Sequence, residues 1–315
     1  MTARILVTPR SLTRAPNAEL KRLEDLGYEI VYTRAGQTPG EDELLAAVPG
    51  VVGWIAGVEP ISTRVIDAAV DLKVISRNGS GMDNVPIDHA ERHGIRVRRV
   101  SGGNARGVAE LAITLIMNLL RHVSYSNQAI KQARWERLIG MEIVDRTIGV
   151  IGCGAIGQEL SRIALALGAR VLAYDPAPQH GLSPRGAFRW TDLDTVLSDA
   201  DAITLHCPQP ADGRPLIDRA ALSRMKTGAR LVNTARAGLV DEQAVLEALD
   251  RNRLGGFATD VFDREPPELS PLLSHDRVVT TAHIGAYTHE SVANTTRMAI
   301  DNALAVLREP VVSVS

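Results

Sequence analysis

Three glycines have the spacing needed to bind a pyrophosphate. Gly152, Gly154 and Gly157 form a G-x-G-x-x-G run. The run follows the β-branched apolar stretch Thr147–Ile151 and opens a helical pattern. In such a run the first glycine allows a tight turn, the second lets the backbone approach a phosphate, and the third lets helix and strand pack closely. The free N–H groups at the start of the helix then bind the phosphates. The alternative is an ordinary glycine-rich turn between a strand and a helix.

The residue at the end of the next strand indicates which dinucleotide binds. Asp175 stands eighteen residues past Gly157, at the end of the predicted strand Arg170–Tyr174. A carboxylate at this position accepts hydrogen bonds from the adenosine ribose and repels a 2′-phosphate. The following Pro176-Ala177-Pro178 offers no arginine that would bind such a phosphate. The pattern therefore favours NAD over NADP.

The composition is that of a globular chain with two domains. Its 315 residues are 45% hydrophobic and 23% charged, and the net charge at pH 7 is −2. A nearly neutral chain has no general attraction for nucleic acid or for an anionic membrane. No apolar run reaches the length of a membrane span, and the chain starts with a strand-like segment instead of a signal peptide. The two cysteines, Cys153 and Cys207, have neither disulfide nor metal-ligand spacing, so we expect no metal site and a cytoplasmic location.

Two stretches of alternating strand and helix patterns follow one another in the chain. Alternation of this kind is typical of parallel sheets that helices cover on both faces. The first stretch predicts strands at Arg4–Thr8, Glu29–Tyr32, Val51–Ile55, Lys73–Ser76 and Arg96–Arg98, with helices near Ala18–Leu26, Glu41–Ala47, Thr63–Ala69 and Ile87–Arg92. The second predicts strands at Thr147–Ile151, Arg170–Tyr174, Ala202–His206, Arg230–Asn233, Gly256–Thr259 and Arg277–Thr281.

Two longer helical patterns predict how the domains are organised. One covers roughly Arg106–His122 and the other roughly Ser291–Leu307, and we interpret them as paired hinge helices. The first domain is then discontinuous, with residues 1–100 and 287–315, and the second comprises residues 101–286. The predicted fold class is α/β, with a doubly wound Rossmann domain inserted into a doubly wound, flavodoxin-like domain. A substrate cleft between the two domains is the expected consequence.

Several segments resemble those of the D-2-hydroxyacid dehydrogenase family. They occur in the family's order, between residues 76 and 286, so the resemblance covers nearly the whole chain. The segments are Arg77–Val85, Gly102-Gly103-Asn104 with Val108-Ala109-Glu110, Asn233–Glu242, Asp260–Pro267 and Thr281–Ala286. The chain is most similar to the phosphoglycerate dehydrogenase branch, in a short form that lacks a C-terminal regulatory domain.

The resemblance implies a catalytic set of three residues. Arg236 is similar to the family's substrate-binding arginine, His283 to its acid/base, and Glu265 to the carboxylate beside that imidazole. A guanidinium matches a carboxylate and polarises the neighbouring carbonyl oxygen. A carboxylate beside the imidazole favours its protonated form and fixes its tautomer. His283 would exchange the proton of a 2-hydroxyl group while hydride passes between C2 and the nicotinamide.

The resemblance also implies where the substrate and the cofactor bind. The substrate carboxylate is expected at Arg236 and at the backbone N–H groups of Asn78, Gly79, Ser80 and Gly81, because a loop with closely spaced glycines binds anions. Asp260 resembles the acid that faces the nicotinamide carboxamide, with a structural cap as the alternative. The expected cofactor contacts are Ser80, Gly152, Gly154, Ala155, Ile156, Gly157, Asp175, Cys207, Pro208, Thr234, Ala235, Arg236, Asp260, His283, Gly285 and Ala286.

The expected reaction is the NAD-dependent interconversion of a small anionic D-2-hydroxy acid and its 2-keto acid, most like that of the phosphoglycerate dehydrogenases. Glu59 stands where many relatives carry a basic residue that faces the substrate, which weakens the case for a phosphorylated side chain. Arg98, Arg99 or, across a dimer interface, Arg137 would restore positive charge.

Three alternatives remain open for the function. They are reduction of hydroxypyruvate or glyoxylate, oxidation of another anionic acid such as sulfolactate, and, in a different class, NAD sensing by a protein like the transcriptional co-repressors that resemble this family. A homodimer is expected from the family and from the apolar stretch Val108–Leu120.

Overall fold

The computed structural model describes residues 2–14, 17–179 and 186–309, and the chain forms two compact units. The first unit comprises Met1–Asn104 and His289–Ser315, and the second comprises Ala105–Thr288. The sequence places the two boundaries after residues 100 and 286. In the structure both lie a few residues later, where the two longest helices begin at Ala105 and His289.

The first unit is built on a five-stranded sheet whose order is β2-β1-β3-β4-β5. All neighbouring strands are parallel. The strands are β1 (Arg4–Val7), β2 (Glu29–Tyr32), β3 (Val51–Ala56), β4 (Val74–Arg77) and β5 (Arg96–Arg99). The helices are α1 (Arg10–Thr13), α2 (Lys21–Asp25), α3 (Glu41–Ala47), α4 (Thr63–Ala68), α5 (Ile87–Arg92) and, from the end of the chain, α12 (His289–Leu307). This strand order is the flavodoxin-like one, which confirms the predicted class.

Buried side chains cover both faces of this sheet, because successive residues of a strand point to opposite sides. Leu6 and Trp54 belong to one apolar cluster, whereas their neighbours Ile5 and Ile55 belong to another. Helix α12 contributes Ala299, Ile300, Ala303 and Leu304 to the second cluster. The last helix of the chain therefore completes the core of the first unit.

The second unit is built on a seven-stranded parallel sheet whose order is β12-β11-β10-β9-β6-β7-β8. The strands are β6 (Thr147–Ile151), β7 (Arg170–Tyr174), β8 (Phe188–Trp190), β9 (Ala202–Leu205), β10 (Ala229–Asn233), β11 (Leu254–Thr259) and β12 (Val278–Thr280). The helices are α6 (Ala105–Arg121), α7 (Val123–Lys131), α8 (Ala155–Ala166), α9 (Leu193–Asp199), α10 (Arg219–Arg224) and α11 (Glu242–Asp250). The order is that of a Rossmann domain, and its direction reverses between β6 and β9.

The apolar stretch Val108–Leu120 is not free to form a dimer interface, which corrects the reason for expecting one. It lies in α6, and most of its apolar side chains are buried against β6, α8 and the central strands of their own unit. Ile113 and Ile116, for example, share a core cluster with Val150 and Leu160.

None of the helices in the described part of the chain combines the length and the apolar composition that a membrane crossing requires.

Candidate active site

The predicted glycine run forms a turn between β6 and α8 in which each glycine meets a different constraint. Gly152 has a φ of +87°, and a Cβ there would lie 2.5 Å from the backbone N of Cys207. A Cβ on Gly157 would collide with the backbone O of Gly152. At Gly154, by contrast, no atom lies within 4 Å of where a Cβ would stand. The fold itself therefore requires glycine at Gly152 and Gly157, whereas the space at Gly154 is open to a ligand.

The start of α8 is suited to bind an anion. Gly154 precedes the helix in an extended conformation and provides no side-chain cap, and Ala155 at the first helical position is exposed. The first N–H groups of a helix have no partner within the helix, and the helix dipole makes this end positive. The open space at Gly154 adjoins these groups, so the turn fits the pyrophosphate of a dinucleotide.

The carboxylate of Asp175 is held beside the glycine turn. It follows β7, and its Oδ2 accepts a hydrogen bond of 2.9 Å from the N–H of Cys153. Its Oδ1 accepts one of 2.9 Å from the N–H of Ala177. Each carboxylate oxygen has a second lone pair, which remains able to accept a bond from a ribose hydroxyl. The backbone thus orients Asp175 for the contact that the sequence predicts.

Two buried polar atoms beyond the carboxyl ends of β9 and β10 have no hydrogen-bond partner among the described residues. They are Nδ1 of His206 and Oγ1 of Thr234, which follow β9 and β10. Buried polar groups are nearly always paired, so an unpaired one indicates a missing partner. A bound dinucleotide carries the donors and acceptors that would satisfy both atoms.

The side chains after β6 and β9 are uncharged near neutral pH. Burial lowers the pKa of His206 to about 3, and Nε2 of this ring lies 3.0 Å from Oγ1 of Thr204. Burial also raises the pKa of each thiol, Cys153 and Cys207, to about 11. Both kinds of group therefore remain in their neutral forms, because a low-dielectric environment disfavours charge. The thiols are structural neighbours of the turn and not nucleophiles.

Arg236 is positioned by a short turn after β10. The side chain of Asn233 donates from Nδ2 to the backbone O of Arg236 at 2.8 Å, and its Oδ1 accepts from the N–H of Ala235 at 3.0 Å. The guanidinium Nη1 of Arg236 donates to the backbone O of Ala235 at 2.7 Å. The side chain is half-buried. A fixed turn of this kind presents the guanidinium fork in a defined direction.

His283 and Glu265 form the pair that the sequence predicts. Nδ1 of His283 lies 2.7 Å from Oε1 of Glu265. The exposed fractions of the two side chains are 41% and 32%, so both are accessible to a small ligand. Because the carboxylate engages Nδ1, the other ring nitrogen, Nε2, is the one left for proton exchange.

Asp260 binds the backbone of the segment that carries His283. Its Oδ1 accepts from Oγ1 of Thr281 at 2.6 Å and from the N–H of Ile284 at 2.8 Å, and its Oδ2 accepts from the N–H of Gly285 at 2.8 Å. The residue is only 1% exposed. These are the contacts of the structural cap that was the alternative interpretation. Asp260 thus positions the loop that carries the imidazole.

These groups all lie at one edge of the second sheet. In a parallel sheet the carboxyl ends of the strands lie on the same side, and ligands bind there, next to the point where the strand order reverses. The residues that follow β6, β7, β9, β10, β11 and β12 are Gly152, Asp175, Cys207, Arg236, Asp260 and His283. Pro208, Ala235, Ile156 and Ala286 adjoin them in the chain.

The predicted substrate loop, Asn78 to Gly81, belongs to the first unit and follows β4. The N–H of Asn78 donates to the backbone O of Ala56 at 2.8 Å, and the backbone O of Gly79 accepts from the N–H of Val100 at 3.1 Å. Oδ1 of Asn78 is buried and has no hydrogen-bond partner among the described residues. Ser80 is exposed and Gly81 is half-buried. The loop therefore has a fixed base and an accessible tip.

Glu59 does not occupy the role that the sequence comparison suggested for it. Its side chain is 1% exposed, and its Oε1 accepts hydrogen bonds from Oγ1 of Thr8 and, at 2.9 Å, from the N–H of Gly57. Burial raises the pKa of this carboxyl. A carboxyl held inside the first unit is not a substrate-facing anion, so it no longer weakens the case for a phosphorylated substrate.

Three supporting residues were not recognised in the sequence. Asn233 and Thr281 make the hydrogen bonds that fix the Arg236 turn and the Asp260 contact, and Arg77 is almost fully buried next to Gly79. Asn233 and Thr281 are the first residues of the two motif segments, which is the signal that identifies them. The burial of Arg77 has no signal in the sequence, because an arginine at a strand end is ordinarily exposed.

A family model matches more than half of the chain. Residues 113–285 match the model described as the NAD-binding domain of D-isomer specific 2-hydroxyacid dehydrogenases. The chain belongs to the D-2-hydroxyacid dehydrogenase family. The resemblance inferred from the motif segments is thereby confirmed, and so is NAD as the cofactor of this family member.

Relatives of known name agree with this assignment. A hydroxypyruvate reductase of Thermotoga maritima is 38% identical over 257 residues, which are 80% of this chain and 83% of that protein. A D-3-phosphoglycerate dehydrogenase of Synechocystis sp. is 35% identical over 294 residues, 90% of this chain but 53% of that protein. The solved structure of the TT0316 protein of Thermus thermophilus has a TM-score of 0.87 and 34% identity, and the match covers 98% of this chain and 100% of that one. The chain thus spans about half the length of the phosphoglycerate dehydrogenase that it matches.

Proposed function

We propose that this protein interconverts a small anionic D-2-hydroxy acid and its 2-keto acid with NAD, and that 3-phosphoglycerate is the substrate. The observation that carries the reaction class is the contact of 2.7 Å between His283 and Glu265, which lies at the same sheet edge as Arg236 and the glycine turn. Hydroxy-acid oxidation needs a base for the hydroxyl proton, a cation for the carboxylate and a site for a nicotinamide. The second unit carries all three.

The proton is handled by His283. In oxidation its Nε2 accepts the proton of the 2-hydroxyl, and in reduction the imidazolium returns a proton to the forming alkoxide. Glu265 stabilises the imidazolium and fixes its orientation through the bond to Nδ1. Arg236 binds the carboxylate and stabilises the negative charge that develops on the neighbouring oxygen.

The cofactor and the substrate carboxylate are assigned to separate groups of residues. NAD supplies the hydride acceptor in oxidation and the hydride donor in reduction. Asp175 binds the adenosine ribose, and the N–H groups at the start of α8 bind the pyrophosphate. In the first unit, the N–H groups of Ser80 and Gly81 bind the substrate carboxylate, because those of Asn78 and Gly79 already donate to the backbone O of Ala56 and of Arg77.

Positive charge next to the substrate loop supports a phosphorylated substrate. Arg77, the last residue of β4, is paired in register with Arg99, the last residue of β5, and the Asn78 to Gly81 loop begins directly after Arg77. Within β5, Arg98 pairs with Ser76 and Arg99 with Arg77, whereas Arg96 pairs with Val74 at the other end of β4. Arg98 and Arg99 are therefore the basic residues of β5 nearest to the start of the loop. Guanidinium groups bind phosphate through paired hydrogen bonds. Glu59 is buried and its carboxyl interacts electrostatically with Arg77, so Arg98 and Arg99 are the arginines that we assign to the phosphate.

Hydroxypyruvate is the second candidate substrate. The Thermotoga relative named hydroxypyruvate reductase matches over 83% of its length, whereas the Synechocystis phosphoglycerate dehydrogenase matches over 53%. The same three residues would carry out this reaction, because only the group on C3 of the substrate differs. The choice between the two therefore depends on the arginines of the first unit and not on the proton-transfer site.

A comparison of substrates tests the proposal. Oxidation of 3-phosphoglycerate, glycerate, lactate and sulfolactate at a fixed NAD concentration is measured beside reduction of hydroxypyruvate and glyoxylate with NADH. We expect the largest kcat/KM with 3-phosphoglycerate. We also expect Arg99→Gln to raise KM for that acid but not for glycerate. Arg96→Gln, at the other end of β5, is the matched control.

The possible outcomes separate the candidates. If another acid is turned over and 3-phosphoglycerate is not, the reaction class stands and the proposed substrate is wrong. If no acid is turned over in either direction while NAD still binds, an NAD-sensing protein is favoured instead.

We further propose a cytoplasmic homodimer whose interface includes residues 123–144. Six large apolar side chains in this segment are more than half exposed: Val123, Ile130, Trp135, Leu138, Ile139 and Val144. Exposed apolar groups concentrated in one segment indicate an interaction surface. Light scattering should give twice the mass of the chain, and Trp135→Ser combined with Ile139→Ser should shift it towards the monomer. A monomeric wild-type protein would contradict this proposal.

A further inference from the structure

Three side chains of metal-ligand type meet on the surface of the first unit, outside the proposed active site. Asp67 lies in α4, His89 lies in α5, and His93 follows the end of α5. Oδ1 of Asp67 lies 2.7 Å from Nε2 of His89 and 3.2 Å from Nε2 of His93. These three atoms all lie within 4.8 Å of one another. They are therefore close enough to be ligands of one ion after small side-chain adjustments.

The two helices that carry these ligands are firmly anchored. Val65 and Ile66 of α4 and Ala90 of α5 are buried in the same apolar cluster. Their packing fixes the separation of the helices, so the backbone positions that carry the three side chains are set before any ion binds. Such preorganisation strengthens binding, because little order has to be gained on association.

The hydrogen bonding of His93 directs Nε2 of its ring towards Asp67. Nδ1 of His93 lies 3.0 Å from the backbone O of His89. A carbonyl oxygen only accepts, so Nδ1 carries the proton and a neutral ring has its lone pair on Nε2. That lone pair faces Oδ1 of Asp67 at 3.2 Å, so a metal ion placed between the two atoms would bind to both, where an imidazolium would hold a proton. We propose that Asp67, His89 and His93 bind a divalent late first-row transition-metal ion such as Zn²⁺.

The donor set fits this class of ion. Two imidazole nitrogens and one carboxylate oxygen form a three-residue set that binds Zn²⁺ with water in the fourth position. Imidazole selects Zn²⁺, Ni²⁺ and Cu²⁺ over Mg²⁺ and Ca²⁺, which take oxygen ligands. His89 lies within α5 and His93 caps its C-terminus four residues later, so the two rings lie on the same side of this turn of the chain. The side chain of His93 is 41% exposed, which leaves access for water.

Arg92 opposes the ion and provides an independent test. Its Nη2 donates to Nδ1 of His89 at 3.2 Å, so in the metal-free protein the proton of this neutral ring is on Nε2. Metal binding through Nε2 requires this proton to leave to solvent and a proton to be taken up at Nδ1. A protonated Nδ1 can no longer accept from Arg92, so that hydrogen bond is lost. The guanidinium also repels a divalent cation. Removing it should therefore strengthen binding.

Calorimetric titration of the full chain with Zn²⁺ at pH 7.5, after treatment with a chelator, tests the site. We expect one saturable equivalent per chain and no binding of Mg²⁺ under the same conditions. His89→Gln, His93→Gln and Asp67→Asn should each weaken Zn²⁺ binding at least about tenfold, since each removes one ligand. Arg92→Gln should strengthen it. Zn²⁺ should also raise the melting temperature of the wild type more than that of His93→Gln.

His275→Gln is the matched control. His275 also faces an aspartate, with Nε2 3.7 Å from Oδ1 of Asp250, but no second histidine belongs to that pair within the described residues. Its loss should leave Zn²⁺ affinity unchanged. Circular dichroism and the melting temperature in chelator establish that each variant is folded. The absence of saturable binding would overturn the proposal, and so would equal affinity in the wild type and the three ligand variants.

Discussion

Nδ1 of His283 and Oε1 of Glu265 are 2.7 Å apart, although the two residues follow different strands of the second sheet. A carboxylate accepts, so the ring donates from Nδ1 and presents Nε2 for chemistry. His283 has a φ of +51°, a left-handed conformation that residues other than glycine rarely adopt. The hydrogen bonds from Thr281, Ile284 and Gly285 to Asp260 hold the chain on both sides of it. The proposed proton-transfer group is thus fixed at both its ring and its backbone.

Replacing the imidazole should lower turnover sharply without abolishing cofactor binding. We expect His283→Ala to lower kcat at least about a hundredfold, the lower range for loss of general acid–base catalysis. NADH binding, followed by fluorescence titration, should change little, because the glycine turn and Asp175 are untouched. His289→Ala, at the exposed start of α12, is the control. Near-normal turnover in His283→Ala would remove this residue from the mechanism.

Neutralising the partner of the imidazole should slow the reaction to a smaller extent. Glu265→Gln keeps an oxygen that can accept from Nδ1 but loses the charge that stabilises the imidazolium. We expect kcat to fall at least about tenfold while KM for NADH changes less. Glu268→Gln removes the charge of a nearby exposed glutamate and should have no effect. Equal kcat in both variants would show that the contact with His283 has no part in turnover.

Cofactor preference should depend on Asp175. Asp175→Ala removes acceptors for the ribose hydroxyls, and hydrogen bonds to a charged group contribute about 1.5–3 kcal/mol. We therefore expect NAD binding to weaken roughly ten- to a hundredfold and NADP to be partly admitted. Asp175→Asn, which retains the shape of the side chain, should also admit NADP because it removes the repulsive charge. A wild-type enzyme with higher kcat/KM for NADPH than for NADH would contradict this assignment.

Protonation of His206 should contribute to acid sensitivity of the fold. Its pKa is lowered from 6.5 to about 3 in the folded protein, so between these values the unfolded chain binds a proton that the folded chain does not. Stability is therefore lost as the pH falls from 6.5 towards 3. We expect the melting temperature of His206→Asn to decline less than that of the wild type as the pH is lowered through this range. The same decline in both proteins would show that His206 does not contribute.

The local pattern of the sequence was sufficient to predict most of the sheet. Long alternations of apolar strands and amphipathic helices identify both doubly wound domains, because each element carries its own periodicity. Short elements carry too little pattern: the three-residue strand β8 and the four-residue helix α1 were not predicted. The six- to nine-residue helices α7, α9, α10 and α11 of the second unit were not predicted either. The predicted helix Ala18–Leu26 contracts to Lys21–Asp25.

What the sequence could not predict is which surface covers each side chain. Val108–Leu120 has the composition of an interface, but its apolar side chains are buried by residues of β6 and α8, which come later in the chain. Glu59 is buried where Thr8, fifty-one residues earlier, donates to it. The motif segments predicted which residue types form the proposed catalytic set. The contact between His283 and Glu265, by contrast, depends on the register of β11 and β12.

At Gly154 the effect of a substitution on the fold is separate from its effect on cofactor binding. Its φ of −75° lies outside the left-handed region, and a Cβ there would meet nothing within 4 Å. A larger side chain at this position therefore meets no other part of the second unit but projects into the space where a pyrophosphate would lie. The position offers a route to a stably folded, cofactor-deficient reference protein, in which the energetic effect of the dinucleotide on the rest of the molecule becomes measurable by subtraction.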